Sequence, residues 1–157
     1  MADKTLLIVR IRGGIDVPRK IEDTMMMIRV DRNNYATLIQ GTPSYSGMLK
    51  KIKDCVTWGE PTVETIRLIL EKRGMLEGDR RLSEETVKET GYESIEKLAQ
   101  ALHQGEVDLT KVKKLKPFFR MHPPKRGFKR SVKRPYRNKG ELGYRGEAIN
   151  ELAEKMV

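Results

Sequence analysis

The sequence predicts an α+β protein built on a βαβαβ core, and three observations carry that expectation. The first sixty residues alternate β-forming runs with stretches of helical period. The next fifty hold three helical patterns and an acidic balance of charge. The remainder, from residue 111, is strongly basic and least regular. These limits divide the chain into a core domain (1–60), an acidic helical insert packed on the core (61–110) and a basic extension (111–157).

The elements of the core follow in order. Leu6 to Arg12 (LLIVRIR) opens with an apolar, β-branched run and then alternates with Arg, the pattern of a strand half buried against a core. Gly13 and Gly14 end it. Pro18 suits a first helical turn, and Ile21, Met25 and Ile28 follow on one face, with Arg19, Lys20 and Asp23 turned elsewhere. The triplet Met25, Met26 and Met27 reads as core packing rather than as an adaptable binding surface. Asn33 and Asn34 form a turn before Tyr35 to Gln40 (YATLIQ), a second strand ending at Gly41. After Thr42 and Pro43, the residues Tyr45, Met48, Leu49 and Ile52 repeat at helical spacing, with Lys50, Lys51 and Lys53 on the outer face. Cys55 to Trp58 then makes a short third strand closed by Gly59.

In the insert, Val63, Ile66, Ile69 and Leu70 stripe a helix that starts at Pro61 or Thr62 and stops at Gly74. A second helical pattern runs from Ser83 to Thr90, and a third, marked by Ile95, Leu98, Ala99 and Leu102, runs from Ser94 to Gly105. In the extension, Pro117 to Pro124 (PFFRMHPP) sets Phe119 and Met121 against Arg120 and His122, as an edge strand would. Residues 127–146 read as an irregular basic loop, of which Gly127 to Gly143 is expected to be mobile until a polyanion neutralises it. Ala148, Ile149, Leu152 and Met156 mark a final helix that docks the chain end on the body.

Charge narrows the function. Thirty-two basic residues against 22 acidic ones give +10, and the pI is near 9.8, the footprint of a nucleic-acid partner. The distribution is uneven: residues 60–108 are net −5, whereas 111–145 hold fourteen basic side chains and one acid, Glu141. A run of that kind is the mark of an interaction arm. No apolar run is long enough for a membrane span, and Met1 to Lys4 lack the features of a secretory signal, so a cytoplasmic protein is expected.

Catalytic patterns are absent from the sequence. Gly41 and Gly47 precede Met48 and Leu49, where a phosphate-cradling loop needs Lys and then Ser or Thr. Gly13 and Gly14 follow a strand but lack the glycine spacing of a dinucleotide loop. His103 and His122 have no Cys or second His at ligand spacing, and the lone Cys55 sits in an apolar stretch. No cofactor, metal or small-molecule substrate is expected.

A constellation suited to RNA remains. Phe118, Phe119, Phe128, Tyr136 and Tyr144 are interleaved with Arg120, Lys125, Arg126, Lys129, Arg130, Lys133, Arg134, Arg137, Lys139 and Arg145. Cationic groups neutralise phosphates, and exposed rings stack on unpaired bases. Phe118 and Phe119 serve equally well as strand core, which leaves Phe128 and Tyr136 as the better stacking candidates.

The order of Leu6–Gly13, Asn33–Gln40 and TPSYSGMLKKIKDCVTWGEP (residues 42–61) resembles the large-subunit ribosomal protein L thirty family, whose eukaryotic counterpart is called L seven. Thr42, Pro43, Gly47, Met48 and the strand Val56–Trp58 stand where that family has its Thr-Pro, Gly-Met and closing strand. A helical insert, a PFFRMHPP strand and a terminal helix extend the resemblance over nearly the whole chain. Without a long basic segment ahead of Leu6, the likeness is to the archaeal type.

The resemblance implies a ferredoxin-like core: a three-stranded antiparallel sheet, order 3-1-2, with two helices on one face. It also implies a structural, non-enzymatic part in the large subunit, bound to its rRNA. Neighbouring ribosomal proteins are implied partners, with 5S rRNA as a further candidate. Contacts carried over to this chain are Arg12, Gly13, Gly14, Arg19 and Lys20 after the first strand, Arg32 and Asn33 before the second, and Ser44, Ser46 and Lys50 in the second helix. Many bacterial members have Arg where this chain has Ser46, and the basic segment from Lys125 to Lys139 is the substitute suggested here. The alternatives are a chromatin-type DNA binder and a non-catalytic part of an RNA-modifying enzyme.

Overall fold

The computed structural model describes residues 4–157. The core elements are β1 (Thr5–Arg10), α1 (Arg19–Ile28), β2 (Tyr35–Gln40), α2 (Pro43–Ile52) and β3 (Val56–Gly59). Local chemistry sets their limits. Pro18 precedes the first turn of α1, and the Thr42 side chain accepts from the Tyr45 N–H at 3.3 Å, so that Thr42 caps α2 ahead of Pro43.

The insert comprises α3 (Val63–Arg73), a two-residue hairpin of β4 (Met75–Leu76) and β5 (Arg80–Arg81), a 3₁₀ turn at Thr86–Thr90, and α4 (Ile95–Gln104). Thr62 and Ser94 cap α3 and α4 through their hydroxyls. The segment expected to form a full helix after Ser83 closes only as the 3₁₀ turn. It has one short apolar anchor, Val87, and Gly91 in the left-handed region ends it.

The sheet is wider than the three strands anticipated. It has six, in the order β6 (Phe119–Arg120), β2, β1, β3, β8 (Gly140–Tyr144), β7 (Ser131–Pro135), and it is mixed. β1 pairs antiparallel with both β2 and β3, whereas β3–β8 and β7–β8 run parallel. Residues 127–146 are therefore not an irregular loop: β7, a 3₁₀ turn at Tyr136–Asn138 and β8 extend the sheet beyond β3. The pattern hid this because β7 has the sequence SVKRP, with only Val132 apolar, and it gains its place by pairing rather than by burial.

β1 is covered on both faces, which corrects the half-buried strand. Ile8 faces a cluster with Met25, Ile28, Leu49 and Ile52 from α1 and α2. Leu7 and Val9 face the opposite cluster, with Ile66, Ile69 and Leu70 of α3, Leu98 and Leu102 of α4, and Ile149 and Met156 of α5 (Ala148–Met156). Each fully buried aliphatic side chain contributes about 1.5–3 kcal/mol, so the insert and α5 are integral to one core. Arg10 is only 2% exposed, yet its guanidinium donates to the carbonyls of Arg12 and Val30 at 2.8 and 3.1 Å. Of the Met triplet, Met25 is fully buried while Met26 and Met27 are exposed, since successive helical residues point in different directions.

Candidate nucleic-acid interface

Antiparallel pairing brings the end of β1 beside the start of β2, so the two expected loop contacts meet at one end of the sheet. The Asn34 N–H donates to the Arg10 carbonyl at 3.0 Å, which sets the Arg32–Asn33 turn next to Arg12, Gly13 and Gly14. Arg19 and Lys20 open α1 from the same loop, and both are exposed. Arg12 is half-buried and reaches the Asp54 carbonyl at 3.4 Å, linking that loop to the chain that enters β3. Ser44 and Ser46 are exposed in the first half of α2, which starts where β2 ends, at the other end of the sheet. Lys50 lies in the last turn of α2 and returns to the basic end.

The extension forms a second group. Lys125, Arg126, Lys129 and Arg130 ahead of β7, and Lys133, Arg134, Arg137 and Lys139 on β7 or between it and β8, are all exposed. Phe128 and Tyr136 are half-buried. The Phe128 ring packs against the larger core cluster. The Tyr136 ring lies under two guanidinium groups, Arg130 at 4.8 Å and Arg145 at 5.1 Å from its centroid. Phe119 is wholly buried, and Phe118 stacks on Tyr35 with centroids 5.4 Å apart.

Two residues of the basic run serve the arm itself. Arg145 and Glu141, both buried, pair at 2.8 Å, and Glu141 also accepts from the Arg130 N–H at 3.0 Å. Arg145 Nε donates to Thr57 Oγ1 at 2.7 Å, and that hydroxyl donates to the Gly143 carbonyl at 2.7 Å. The one acid of the segment thus ties the residue ahead of β7 to β8 and, through Arg145, to Thr57 of β3. A lone carboxylate inside a basic run, followed at i+4 by Arg, was the sequence signal for this pair.

Tyr144 is 47% exposed, and its hydroxyl donates to both carboxylate oxygens of Glu60 at 2.8 Å. That carboxylate holds the phenol proton and pushes the Tyr144 pKa above its ordinary value. Cys55 is buried, and burial raises its thiol pKa, which disfavours the reactive thiolate. Among the described residues no group of three or more potential ligands could hold a metal ion, and no helix is long and apolar enough to cross a membrane.

Fold and charge together define a class: a mixed-sheet α+β scaffold whose exposed cations suit a polyanion. The model of the family described as ribosomal protein L30p/L7e matches residues 6–56. The large ribosomal subunit protein uL30 of Methanopyrus kandleri is 51% identical over 148 residues, 93% of this chain and 99% of that protein. Its namesake in Archaeoglobus fulgidus is 48% identical over 150 residues, 95% of this chain and 97% of the relative. The one in Ignicoccus hospitalis is 44% identical over 160 residues, covering both chains fully. The chain belongs to the ribosomal protein L30p/L7e family, and these relatives are archaeal.

Proposed function

We propose that the basic end of the sheet and the β7–β8 arm bind large-subunit rRNA and hold its fold. The chain is a structural, non-enzymatic constituent of the large ribosomal subunit, cytoplasmic and ribosome-associated, as its family membership implies. The observation that carries the binding reading is the row of exposed cations from Lys125 to Lys139 on an arm that is itself paired into the sheet. A rigid arm loses less conformational entropy on binding than a loose one, so more of its phosphate contacts appear as affinity.

The division of labour follows the three parts of the chain: the core (1–60) and the extension (111–157) face RNA, while the acidic insert (61–110) turns toward a neighbouring ribosomal protein or solvent. Arg12, Gly13, Gly14, Arg19, Lys20, Arg32, Asn33 and Lys50 form the core contribution, with Ser44 and Ser46 as a separate contact. A three-stranded family unit of order 3-1-2 fits the β2, β1, β3 centre of the sheet, with the archaeal extensions added at both edges. Contact with 5S rRNA is a further part of the reading. Co-sedimentation with large subunits after a high-salt wash tests the assignment, and a protein washed off completely at salt that leaves other core proteins bound would count against it.

A further inference from the structure

The sheet extends past the helices that cover one of its faces. α1 and α2 pack on β2, β1 and β3 through Ile8, Ile39, Leu49 and Ile52, while β8 lies beyond β3. Ile8 is the register partner of Trp58, and Trp58 is the partner of Tyr144, so the three side chains stand in a row on the same face. Ile8 is covered, Trp58 is half-buried and Tyr144 is exposed. A groove of about 380 Å³ opens at this step, lined by the aromatic side chains of Trp58 and Tyr144 and, from the turn after β7, Tyr136. Lys50 and Lys53 from the end of α2 form one wall, and Pro135 and Arg137 form the other.

We propose that this groove receives one unpaired nucleotide of large-subunit rRNA, its base stacked on Tyr144 and Trp58 and its flanking phosphates held by Lys50, Lys53 and Arg137. The proposal rests on the rRNA reading above and names a site within it. Three cations against one lining acid, Asp54, match a phosphate-bearing strand. An apolar peptide in the groove would leave those cations unpaired, and a duplex hides the faces of its bases. The Tyr144 ring is already fixed through its hydroxyl by Glu60, so a base meets a preorganised platform.

Trp58 is the only tryptophan of the chain, so its emission reports on the groove. The whole protein is titrated with single-stranded hexaadenylate and, separately, with a blunt RNA duplex of equal phosphate number. The single strand should quench Trp58, whereas the duplex should bind through the arm and leave emission unchanged. Tyr144→Ala should weaken single-strand binding roughly five- to hundredfold, the range of one base–aromatic stack, and Tyr144→Phe should retain most of it. The pair Lys53→Glu and Arg137→Glu, both exposed positions, should weaken single-strand binding more than duplex binding, even if Tyr144→Ala fails to fold. Equal quenching by the duplex, or single-strand affinity untouched in these variants, overturns the groove. A wild-type protein that binds rRNA with steep salt dependence while Trp58 stays unquenched overturns the groove alone, and is also the result expected if a protein segment fills it. A protein that binds no rRNA overturns the wider reading.

Discussion

Glu141 and Arg145 form an ion pair at 2.8 Å with side chains only 7% and 5% exposed, at the point where the basic arm joins β3. Breaking a buried pair by removing one partner leaves the other charge desolvated, at a cost of about 3–5 kcal/mol. Glu141→Ala should therefore destabilise the free protein by roughly that amount in denaturant unfolding, whereas Glu141→Gln, which keeps an acceptor for the Arg130 N–H and Arg145, should cost less. Equal stability of Glu141→Ala and wild type would show that the arm is not held by this pair.

The same pair bears on what the sequence could reveal. Strands β1 and β2 and helices α1, α2, α3 and α5 are legible because each has an apolar face of the right period. β7 and β8 are not: SVKRP offers one apolar residue, and GELGY buries Glu141 by pairing it, a tertiary event that composition cannot report. The insert was expected to pack on the core, but that it covers a second face of the sheet was hidden, since LLIVRIR fits a one-sided strand and a strand sandwiched between helices alike. Of the candidate contacts, the cations were legible as charge, whereas the exposure of each aromatic ring was not. Phe128 and Tyr136 are engaged by the body, and Tyr144, beside the buried Arg145, keeps the exposed ring.

Amide exchange in the free protein should show protection in β8 and at Arg130, whose N–H donates to Glu141, before any RNA is added. Protection spanning Gly140–Tyr144 should be lost in Glu141→Ala and retained in Glu141→Gln. Complete exchange of wild-type β8 at the rate of an unfolded chain would restore the picture of an arm that orders only on binding.

The exposed cations predict the salt response. Each phosphate contact contributes about 0.7–0.9 to the slope of log affinity against log salt. Replacing Lys129, Arg130, Lys133 and Arg134 by Ala should flatten that slope for large-subunit rRNA by up to roughly 3, with a smaller effect from Lys129, which already lies 3.8 Å from Glu151. An unchanged slope would remove β7 from the phosphate-binding surface.

Tyr144 should titrate above the ordinary tyrosine range, because its hydroxyl donates to the Glu60 carboxylate and ionisation would set two negative charges together. Phenolate absorbance, taken as the difference from Tyr144→Phe, reads this group alone. Glu60→Gln should bring its midpoint down. The sign for stability follows: a phenol whose folded pKa is raised contributes stability below its unfolded pKa and loses it as pH rises through the folded value. Wild type should therefore lose more stability than Tyr144→Phe at alkaline pH. A midpoint unaffected by Glu60→Gln would mean the tether is not formed in solution.

Gly13 and Gly14 separate scaffold from contact. Neither is among the positive-φ residues, so backbone strain gives no reason for glycine at either position. A Cβ at Gly13 would meet nothing within 4 Å, and one at Gly14 would meet Glu22 Oε1 at 2.5 Å, the movable end of a side chain. Gly13→Ala should leave thermal stability unchanged or raise it slightly, by about 0.4–1 kcal/mol, through a less flexible unfolded chain. Gly140 is the contrast, since a Cβ there would lie 1.8 Å from the Arg134 carbonyl oxygen, which cannot move without parting β7 from β8. Gly140→Ala should destabilise the arm and weaken RNA binding together. If the loop after β1 touches rRNA, Gly13→Ala should weaken filter-binding affinity for large-subunit RNA with no loss of stability, because the added methyl fills only the space between loop and ligand. Unaltered affinity in both Gly13→Ala and Gly14→Ala would remove the two glycines from the RNA surface, leaving them only as part of the connection between β1 and α1.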